Sequence, residues 1–284
     1  MIAPDDYRFL SDFLKRESGL SLGPGKDYLL ESRLPPVAAN FACDGVAGLV
    51  RALRMGGNRA MVKAVADAMT TGETLFFRDQ TPFTVFRETL LPEAVQRARP
   101  TGRPVRIWSA ACSSGQEVFS LAMIADEQQR QLAGTRVEFL ATDYSTPTVQ
   151  RAAQATFSQL EVQRGLPIQL LVKYFDKTPD GFRVKDMLKQ RVAFREHNLL
   201  TSGAGHGSFD IIFVRNVLIY FDVPTKREVL ERLSAQLVPG GVIVLGGTEN
   251  TLGVTDALVR LPGCPTAVYQ RSADLTQRRA APAA

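Results

Sequence analysis

From about residue 104 onward, short apolar runs alternate with amphipathic stretches, and this alternation most narrowly limits the fold that the chain can adopt. Near-continuous apolar strands separated by helices indicate a parallel sheet that is covered on both faces. The pattern therefore predicts a doubly wound α/β domain. The predicted strands cover 105–111, 137–141, 192–194, 209–214, 242–245 and 267–269, and the predicted helices cover 117–130, 146–155 and 225–237.

Two regions depart from this alternation. Within 166–194, a Pro179-Asp180-Gly181 turn separates two short β-prone runs, which predicts an antiparallel hairpin inserted into the sheet order. Residues 1–85 show only helical spacing of apolar residues, which predicts a small helical bundle. The expected division is an all-α domain over 1–85, an α/β domain over 86–271 with a β-subdomain at about 166–194, and a disordered tail over 272–284.

Cysteine and histidine are scarce, and this limits the chemistry available to the chain. The 284 residues include 3 cysteines, none in a CxxC pair, and 2 histidines. A disulfide framework, a thiolate metal site and a Ser/His/Asp nucleophile system are therefore disfavoured, and no metal site is predicted. We expect a reaction that needs little proton transfer.

The sequence shows no candidate membrane segment or signal peptide. Its longest uncharged stretch, 233–248, is interrupted by Pro239, Gly240 and Gly241, and the N-terminal residues lack the apolar core of a signal peptide. We therefore expect a cytoplasmic protein without membrane insertion. We also expect a monomer. The net charge of +5 favours an acidic partner, and nucleic acid is not the expected one.

Small and acidic residues follow the first two predicted strands. The segment 109–117 is a run of small residues that includes Ala111 and Gly115, and it lacks the GxGxxG pattern of dinucleotide sites. The second strand ends at Asp143, which is placed either to bind ribose hydroxyls or to cap the next helix. A small-residue loop, a strand-end acid and no pyrophosphate motif together indicate a site for S-adenosylmethionine (SAM).

Polar residues also follow the fourth predicted strand and precede the α/β domain. Arg215 and Asn216 lie at the same carboxyl edge as the other two motifs, and Tyr220 follows them, although core packing is an alternative role for Tyr220. The segment 70–79 contains Thr74 and Arg78 and is equally typical of a capped helix start.

One stretch of the helical region is basic. Residues 45–66 contain Arg51, Arg54, Arg59 and Lys63 and no acidic residue. Four such charges are typical either of a solvated helix face or of a surface that docks an acidic partner. The sequence alone leaves both alternatives open.

Six segments together resemble the chemotaxis receptor glutamate O-methyltransferases, the CheR family. They occur in the family's order, as TTGETLFFRD, RIWSAACSSGQE, LATD, HNLL, FDIIFVRNVLIYFD and LVPGGVIVLGGTEN. The resemblance implies an all-α domain followed by a Rossmann-like SAM domain with a small antiparallel β-subdomain. It also implies methyl transfer from SAM to glutamates on the cytoplasmic helices of chemoreceptors in chemotaxis adaptation, which leaves S-adenosylhomocysteine and glutamyl methyl esters.

The resemblance also implies roles for individual residues. Thr74 and Arg78 reach SAM from the segment before the α/β domain, Glu117 and Asp143 are acidic cofactor contacts, Asn198 and Leu199 lie beside the adenine, and Arg215, Asn216 and Tyr220 lie near the transferred methyl group. Arg78, Arg215 and Tyr220 are the expected catalytic residues. Two departures stand out: Gly72 replaces a common asparagine, and Gly247-Thr248-Glu249 replaces a common His-Ser-Glu.

The reaction implied by the resemblance suits these residues. A glutamate side chain with a pKa near 4.3 is ionised at neutral pH, so it attacks without a general base, and alignment is the main requirement. Arg78 or Arg215 is a candidate to hold the incoming carboxylate in a bidentate fork, and Tyr220 to orient it. The alternatives are methylation of another carboxylate and a SAM-binding scaffold without activity.

Overall fold

The computed structural model describes residues 2–274, and their contacts divide the chain into two compact units. One unit comprises the chain up to Thr71 together with Ile219–Thr225, and the other comprises Gly72–Leu218 and the chain from Lys226 on. The sequence suggested a boundary at residue 85, but the structure places it at Thr71. The residues after Thr71 pack within the α/β unit. Phe76, for example, is buried there against Phe157, with ring centroids 4.9 Å apart.

The helical unit consists of four helices that bury one apolar stripe each. Leu10, Leu14, Leu30, Leu49 and Val65 are fully buried in its core. The periodic spacing in the sequence predicts these elements because a helix presents residues three and four apart on one face. The helices are α1 (Pro4–Ser18), α2 (Asp27–Asn40), α3 (Gly45–Arg54) and α4 (Arg59–Met69).

A distant segment of the chain completes the helical unit. Ile219–Thr225 is joined to the region around α1 by a hydrogen bond from the Ser21 N–H to the Tyr220 carbonyl (2.9 Å) and by an ion pair between Lys15 and Asp222 (2.7 Å). This ion pair lowers the pKa of Asp222 to about 2, since the Lys15 ammonium favours the charged carboxylate.

The α/β unit is built on a seven-stranded sheet in the order β6-β2-β1-β7-β8-β10-β9. The first five strands in this order run parallel, whereas β10 pairs antiparallel with both β8 and β9. This topology confirms the doubly wound fold. The strands are β1 (Val105–Ala110), β2 (Val137–Asp143), β6 (Val192–Glu196), β7 (Phe209–Val214), β8 (Leu237–Leu245), β9 (Leu258–Arg260) and β10 (Val268–Arg271).

Helices surround this sheet and its core. All six residues of β7 are buried, and α7 is buried along almost its whole length, which explains why both segments are nearly continuously apolar. A five-residue π-helical stretch, Phe86–Leu90, joins α5 to α6. The helices are α5 (Thr81–Val85), α6 (Leu91–Ala98), α7 (Gln116–Glu127), α8 (Gln129–Leu132), α9 (Thr146–Gln154), α10 (Gln159–Gln163), α11 (Ile168–Tyr174), α12 (Asp186–Lys189) and α13 (Val223–Ala235).

The predicted hairpin forms a separate sheet and is not inserted into the order of the large one. Its strands, β4 (Phe175–Thr178) and β5 (Gly181–Val184), are joined by a third strand that the sequence analysis missed, β3 (Thr156–Phe157), in the order β3-β5-β4. Gly181 has φ +134°, and a Cβ there would lie 2.3 Å from the Phe157 carbonyl oxygen. Only glycine fits this contact, which holds β3 against the turn.

The small sheet therefore begins earlier and ends earlier than the expected range 166–194. It spans residues 156–184, and Val192–Glu196 is the edge strand of the large sheet. The expected tail over 272–284 begins with ordered residues, because the carboxylate of Asp274 accepts a hydrogen bond from the Gly240 N–H (3.0 Å). The remainder of that tail, 275–284, lies outside the described residues.

Within residues 2–274, no helix is long and apolar enough to cross a membrane. In the same range, no three His, Cys, Asp or Glu residues cluster in a way that would bind a metal ion.

Candidate functional site

The loop after β1 has an unusual backbone, and Asp143 holds it in place. Ala111, Ser113 and Gly115 adopt left-handed φ angles of +63°, +50° and +97°. The Ser113 N–H donates to Oδ2 of Asp143 (2.9 Å), which lies at the end of β2. Loops in which left-handed residues alternate with other conformations turn neighbouring N–H groups to one side, and such a backbone suits an anionic group of a ligand.

Asp143 is not the helix cap that was its alternative role. Ser145 is the N-cap of α9, where its hydroxyl accepts a hydrogen bond from the Thr148 N–H (3.4 Å). The other carboxylate oxygen of Asp143, Oδ1, accepts from the Ser145 N–H (3.1 Å). Asp143 thus links the loops that follow β1 and β2.

Arg215 is the buried centre of an ion-pair network. Its Nη1 donates to Glu117 (2.9 Å) and its Nη2 donates to Asp79 (2.7 Å), while only 2% of its side chain is exposed. Glu117 also accepts from the Ser109 hydroxyl (2.8 Å). The network therefore joins the end of β1, the start of α7, the end of β7 and the segment after Thr71.

This network corrects the hypothesis that Arg215 offers a free fork to a substrate carboxylate. Both terminal nitrogens of Arg215 already bind Glu117 and Asp79, and Nη2 donates to the Arg78 carbonyl as well (2.9 Å). Of the guanidinium nitrogens of Arg215, the Nε is buried and has no hydrogen-bond partner among the described residues. Arg215 can therefore offer one N–H to a ligand.

Arg78 is a better candidate to bind an incoming carboxylate. Its half-buried guanidinium donates one hydrogen bond, from Nη1 to the Glu73 carbonyl (3.1 Å), and has no ion-pair partner among the described residues. The backbone around it is strained, since Phe77, Asp79 and Gln80 all have positive φ angles. Such strain is found where surrounding contacts impose a backbone conformation on a functional segment. Thr74, in the same segment, is half-buried.

Asn198 and Leu199 follow β6, and a backbone hydrogen bond joins the residue before them to Asp143. The N–H of the preceding residue, His197, donates to the Asp143 carbonyl (2.9 Å). Asn198 turns the chain by accepting from the Leu200 N–H (3.0 Å), and Leu199 is buried. A buried leucine at this edge is a suitable apolar surface for a purine ring.

The two histidines of the chain lie together on the sheet and not among the acidic residues. The ring centroids of His197 and His206 are 4.8 Å apart, and each lies within 6 Å of the centroid of buried Trp108. Burial, followed by the nearby His206, lowers the pKa of His197 to about 4, and burial, Arg195 and Arg106 lower that of His206. Both rings are therefore neutral at physiological pH.

Glu249 is a residue that the sequence analysis noted only as part of a departure from the family pattern. It follows β8 and is 6% exposed. Its carboxylate accepts hydrogen bonds from the N–H groups of Asn216 (2.8 Å), Val217 (3.0 Å), Leu218 (2.8 Å) and Gly246 (2.8 Å). Apart from that pattern, the sequence signal for it was an acid four residues past the end of an apolar strand.

Gly72, the other departure, contacts the β1 loop through its backbone. Its carbonyl accepts a hydrogen bond from the Ser113 hydroxyl (2.6 Å), and a Cβ at this position would lie 3.2 Å from that oxygen. A side chain at residue 72 would therefore crowd Ser113. The pairing of Gly72 with Ser113 holds this segment and the loop together without an asparagine side chain.

Tyr220 is the one expected site residue that belongs to the helical unit. Its carbonyl accepts from the Ser21 N–H, its side chain is half-buried, and its hydroxyl has no hydrogen-bond partner among the described residues. A core role, the alternative considered from sequence, would require deeper burial.

The residues of the α/β unit fit SAM. SAM carries a carboxylate, an ammonium group, ribose hydroxyls and an adenine ring, so its site needs N–H donors, acids and an apolar surface. The buried Nε of Arg215 lacks a partner, the β1 loop is lined by small residues, and Asp143 and Leu199 stand at the neighbouring strand ends.

Family models and known relatives match nearly the whole chain. The model "CheR methyltransferase, all-alpha domain" matches residues 5–70, and "CheR methyltransferase, SAM binding domain" matches residues 72–264. The "Chemotaxis protein methyltransferase" of Vibrio anguillarum is 41% identical over 272 residues, which cover 95% of this chain and 98% of that protein. "Chemotaxis protein methyltransferase 1" of Pseudomonas aeruginosa is 40% identical over 271 residues, covering 93% and 97% of the two chains.

Among solved structures, the chain is similar to the plantazolicin methyltransferase BpumL in complex with SAH. The identity is 14%, the TM-score is 0.33, and the match covers 78% of this chain and 62% of that one.

Proposed function

Because this chain belongs to the CheR methyltransferase family, we propose that it methylates specific glutamates on the cytoplasmic helices of chemoreceptors. It is a SAM-dependent methyltransferase of chemotaxis, and its products are S-adenosylhomocysteine and glutamyl methyl esters. The observation that carries the function is identity of about 40% with chemotaxis methyltransferases over more than nine-tenths of the chain.

The chemistry needs no proton acceptor. Bound SAM supplies a methyl group on a positively charged sulfur, and a glutamate carboxylate is already ionised at neutral pH. One carboxylate oxygen forms the new bond to the methyl carbon while the carbon–sulfur bond breaks, so the two charges cancel and no proton moves. This agrees with a chain whose two histidines are neutral and cluster around Trp108.

We propose the following division of labour for the α/β unit. Asp143 accepts hydrogen bonds from ribose hydroxyls, and Leu199 and Asn198 contact the adenine. Ala111, Gly115 and Thr74 line the site, and Glu117, Arg215 and Asn216 bind the amino-acid part of SAM. Since Arg215 is already neutralised by Glu117 and Asp79, its role is to fix these groups and to offer Nε.

Arg78 is the residue we assign to the incoming glutamate. The Arg78 carbonyl accepts a hydrogen bond from Arg215, and the Arg78 guanidinium has no ion-pair partner among the described residues, so its charge is available. Contact with one carboxylate oxygen leaves the other free to attack, whereas a fully bidentate pair would weaken the nucleophile. We assign to Tyr220 the orientation of the reacting groups.

Transfer of radiolabelled methyl from SAM to purified receptor tests the function, with alkaline release of the label as methanol marking a carboxyl ester. Receptor whose methylatable glutamates are replaced by alanine is the matched control. Labelled methanol from the intact receptor alone supports the proposal. Label on other proteins only would indicate a different carboxylate substrate, and SAM binding without any transfer would indicate a scaffold.

We also propose that the protein acts in the cytoplasm, where receptor helices carry their methylated glutamates, and that it acts as a monomer. One receptor glutamate is methylated at one site, so the reaction does not require a second copy of the enzyme. Analytical ultracentrifugation is expected to give the mass of one chain for the enzyme alone and no more than one enzyme chain in each complex with receptor fragment. A stable dimer would contradict this part of the proposal.

A further inference from the structure

Four backbone N–H groups converge on the carboxylate of Glu249. Asn216 and Gly246 donate to Oε2, each at 2.8 Å, whereas Val217 and Leu218 donate to Oε1 at 3.0 and 2.8 Å. The residue is 6% exposed, so water cannot easily replace its oxygens. Converging buried N–H groups repel one another and are costly without an acceptor, which makes this arrangement an anion site that the chain fills with its own acid.

The anion site includes the residues that follow β7. Asn216 has a left-handed φ of +58°, which is unfavourable for a residue other than glycine. The preceding residue, Arg215, is held by Glu117 and Asp79 through its side chain. The segment that carries Arg215 and Asn216 is therefore fixed twice, by carboxylates at its side chain and by Glu249 at its backbone.

Glu249, Gly246 and Asn216 are packed so tightly that no side chain fits at residue 246. A Cβ on Gly246 would lie 2.7 Å from Oε2 of Glu249 and 3.0 Å from both the backbone nitrogen and Nδ2 of Asn216. The turn also closes on itself, because the Glu249 N–H donates to the Gly246 carbonyl (3.0 Å). The position of Asn216 is thus defined by the end of β8.

We propose that Glu249 is a positioning residue for the SAM site. Its carboxylate occupies the anion site of four N–H groups and so holds Arg215 and Asn216 in the geometry that binds SAM. This inference rests on the proposed function, since it concerns the same site. It differs from a general role in folding, because it predicts that any small carboxylate in the anion site restores SAM binding.

Glu249→Ala tests the proposal because it empties the anion site without adding bulk. We expect the dissociation constant for SAM, measured by calorimetry, to rise at least about tenfold, with receptor methylation falling in parallel. Adding formate or acetate is expected to restore much of both losses, whereas chloride at the same ionic strength is not. Unchanged SAM affinity in folded Glu249→Ala, or a loss that neither carboxylate reverses, would overturn the proposal.

Asp210→Asn is the matched control. Asp210 is fully buried near the opposite end of β7 and accepts hydrogen bonds from Arg103 (2.8 and 2.9 Å) and from the Arg106 N–H (3.0 Å). Its loss is expected to lower the melting temperature while SAM affinity per folded molecule stays unchanged, with no response to formate. A formate response equal to that of Glu249→Ala would show that the effect is general, and it would overturn the proposal.

Gly246→Ala provides a second route if Glu249→Ala does not fold. The added methyl group pushes Glu249 and Asn216 apart but leaves the carboxylate in the chain, so we expect weaker SAM binding that formate does not restore. Wild-type affinity in this variant would overturn the proposal. Wild-type protein is assayed beside each variant. If the wild type binds SAM but does not methylate the receptor, the proposed function is wrong. The role of Glu249 is still tested in that case, because it is measured by SAM affinity.

Discussion

At the scale of single residues, Asp143 links two loops and is assigned to the ribose of SAM. Asp143→Ala removes an acceptor for the ribose hydroxyls and also releases the Ser113 N–H. We expect the calorimetric affinity for SAM and for S-adenosylhomocysteine to fall at least about tenfold, or roughly 1.4 kcal/mol.

Ser145→Ala is the matched control for that experiment. It removes the N-cap of α9 next to Asp143, which costs about 0.5–2 kcal/mol of stability, without removing a group assigned to SAM. SAM affinity is expected to stay at the wild-type value. If Asp143→Ala and Ser145→Ala weaken SAM binding equally, Asp143 does not contact the ribose.

Replacing Tyr220 by phenylalanine distinguishes a catalytic role of this side chain from a packing role. Its hydroxyl has no hydrogen-bond partner among the described residues, so Tyr220→Phe removes nothing that holds the helical unit together. We expect the melting temperature to stay within about a degree, since surface changes are usually within ~0.5 kcal/mol, while the rate of methyl transfer falls. A lower melting temperature with normal activity per folded molecule would instead make Tyr220 a core residue.

The sequence predicts which residues lie at the site better than it predicts their partners. The strand-end positions of Asp143 and Arg215 follow from the alternating pattern, because parallel strands bring their carboxyl ends to one edge. Neither the pairing of Arg215 with Asp79 nor the enclosure of Glu249 by four N–H groups could be predicted. Both depend on loop backbone angles that no local pattern specifies.

At the scale of elements, the basic stretch divides into paired and unpaired charges. Arg54 binds Asp6 (3.2 Å) and stacks on Phe9, and Lys63 pairs with Asp67, so these two stabilise the helical unit. Arg51 and Arg59 are exposed and have no ion-pair partner among the described residues. They are therefore the charges available for an acidic partner.

We expect reversal of both charges, Arg51→Glu with Arg59→Glu, to slow methylation of receptor. At low salt the rate is expected to fall roughly tenfold because electrostatic steering is lost, and the effect is expected to shrink as ionic strength rises. SAM affinity, which depends on the α/β unit, is expected to stay unchanged. Rates are measured at limiting receptor concentration.

Arg130→Glu with Arg136→Glu is the matched control, because it makes the same change in net charge with two exposed arginines of the α/β unit. If both double variants slow methylation equally, steering depends on net charge alone. If neither does, α3 and α4 present only a solvated face.

The histidine pair predicts a pH dependence of stability. His197 has a folded pKa of about 4 and an ordinary value of 6.5, so between these pH values the unfolded chain binds a proton that the folded chain does not. Stability is therefore full above about pH 6.5 and is lost as the pH falls toward 4. Because water reaches both rings, we expect a loss of roughly 1–2 kcal/mol across this window.

Urea unfolding at pH 7 and at pH 5 measures this loss, and His197→Gln with His206→Gln is the comparison. The double variant is expected to be less stable at pH 7, because it loses packing around Trp108, and to change less between the two pH values than the wild type. An equal pH dependence in both proteins would assign the effect to carboxylates elsewhere.

The elements themselves were predictable where burial determines the sequence. The strands at the centre of the large sheet contain continuous apolar runs by which the sequence identifies them, although β8 begins at Leu237 and the prediction began at 242. The strands it misses, β3 and β9, are two and three residues long and lie at sheet edges. Such strands form because neighbours offer backbone partners, and they leave no periodic signal of their own.

At the scale of the whole molecule, the fold class follows from the sequence but the unit boundaries do not. Apolar spacing separates a helical part from an α/β part because the two structures bury residues with different periods. The boundary near Thr71 and the membership of Ile219–Thr225 in the helical unit depend on tertiary contacts between residues about two hundred positions apart. A window of local sequence does not contain this information.

Because Ile219–Thr225 belongs to the helical unit, that unit cannot be exchanged between related proteins as one continuous segment. A chimera that takes only residues 1–71 from another family member brings in a new partner for Lys15 and Ser21 but keeps the old Asp222 and Tyr220. Recombination at a single junction therefore separates residues that belong to one folding unit. Functional transplants of the helical unit require two inserts, and the positions that contact across them are expected to change together in evolution.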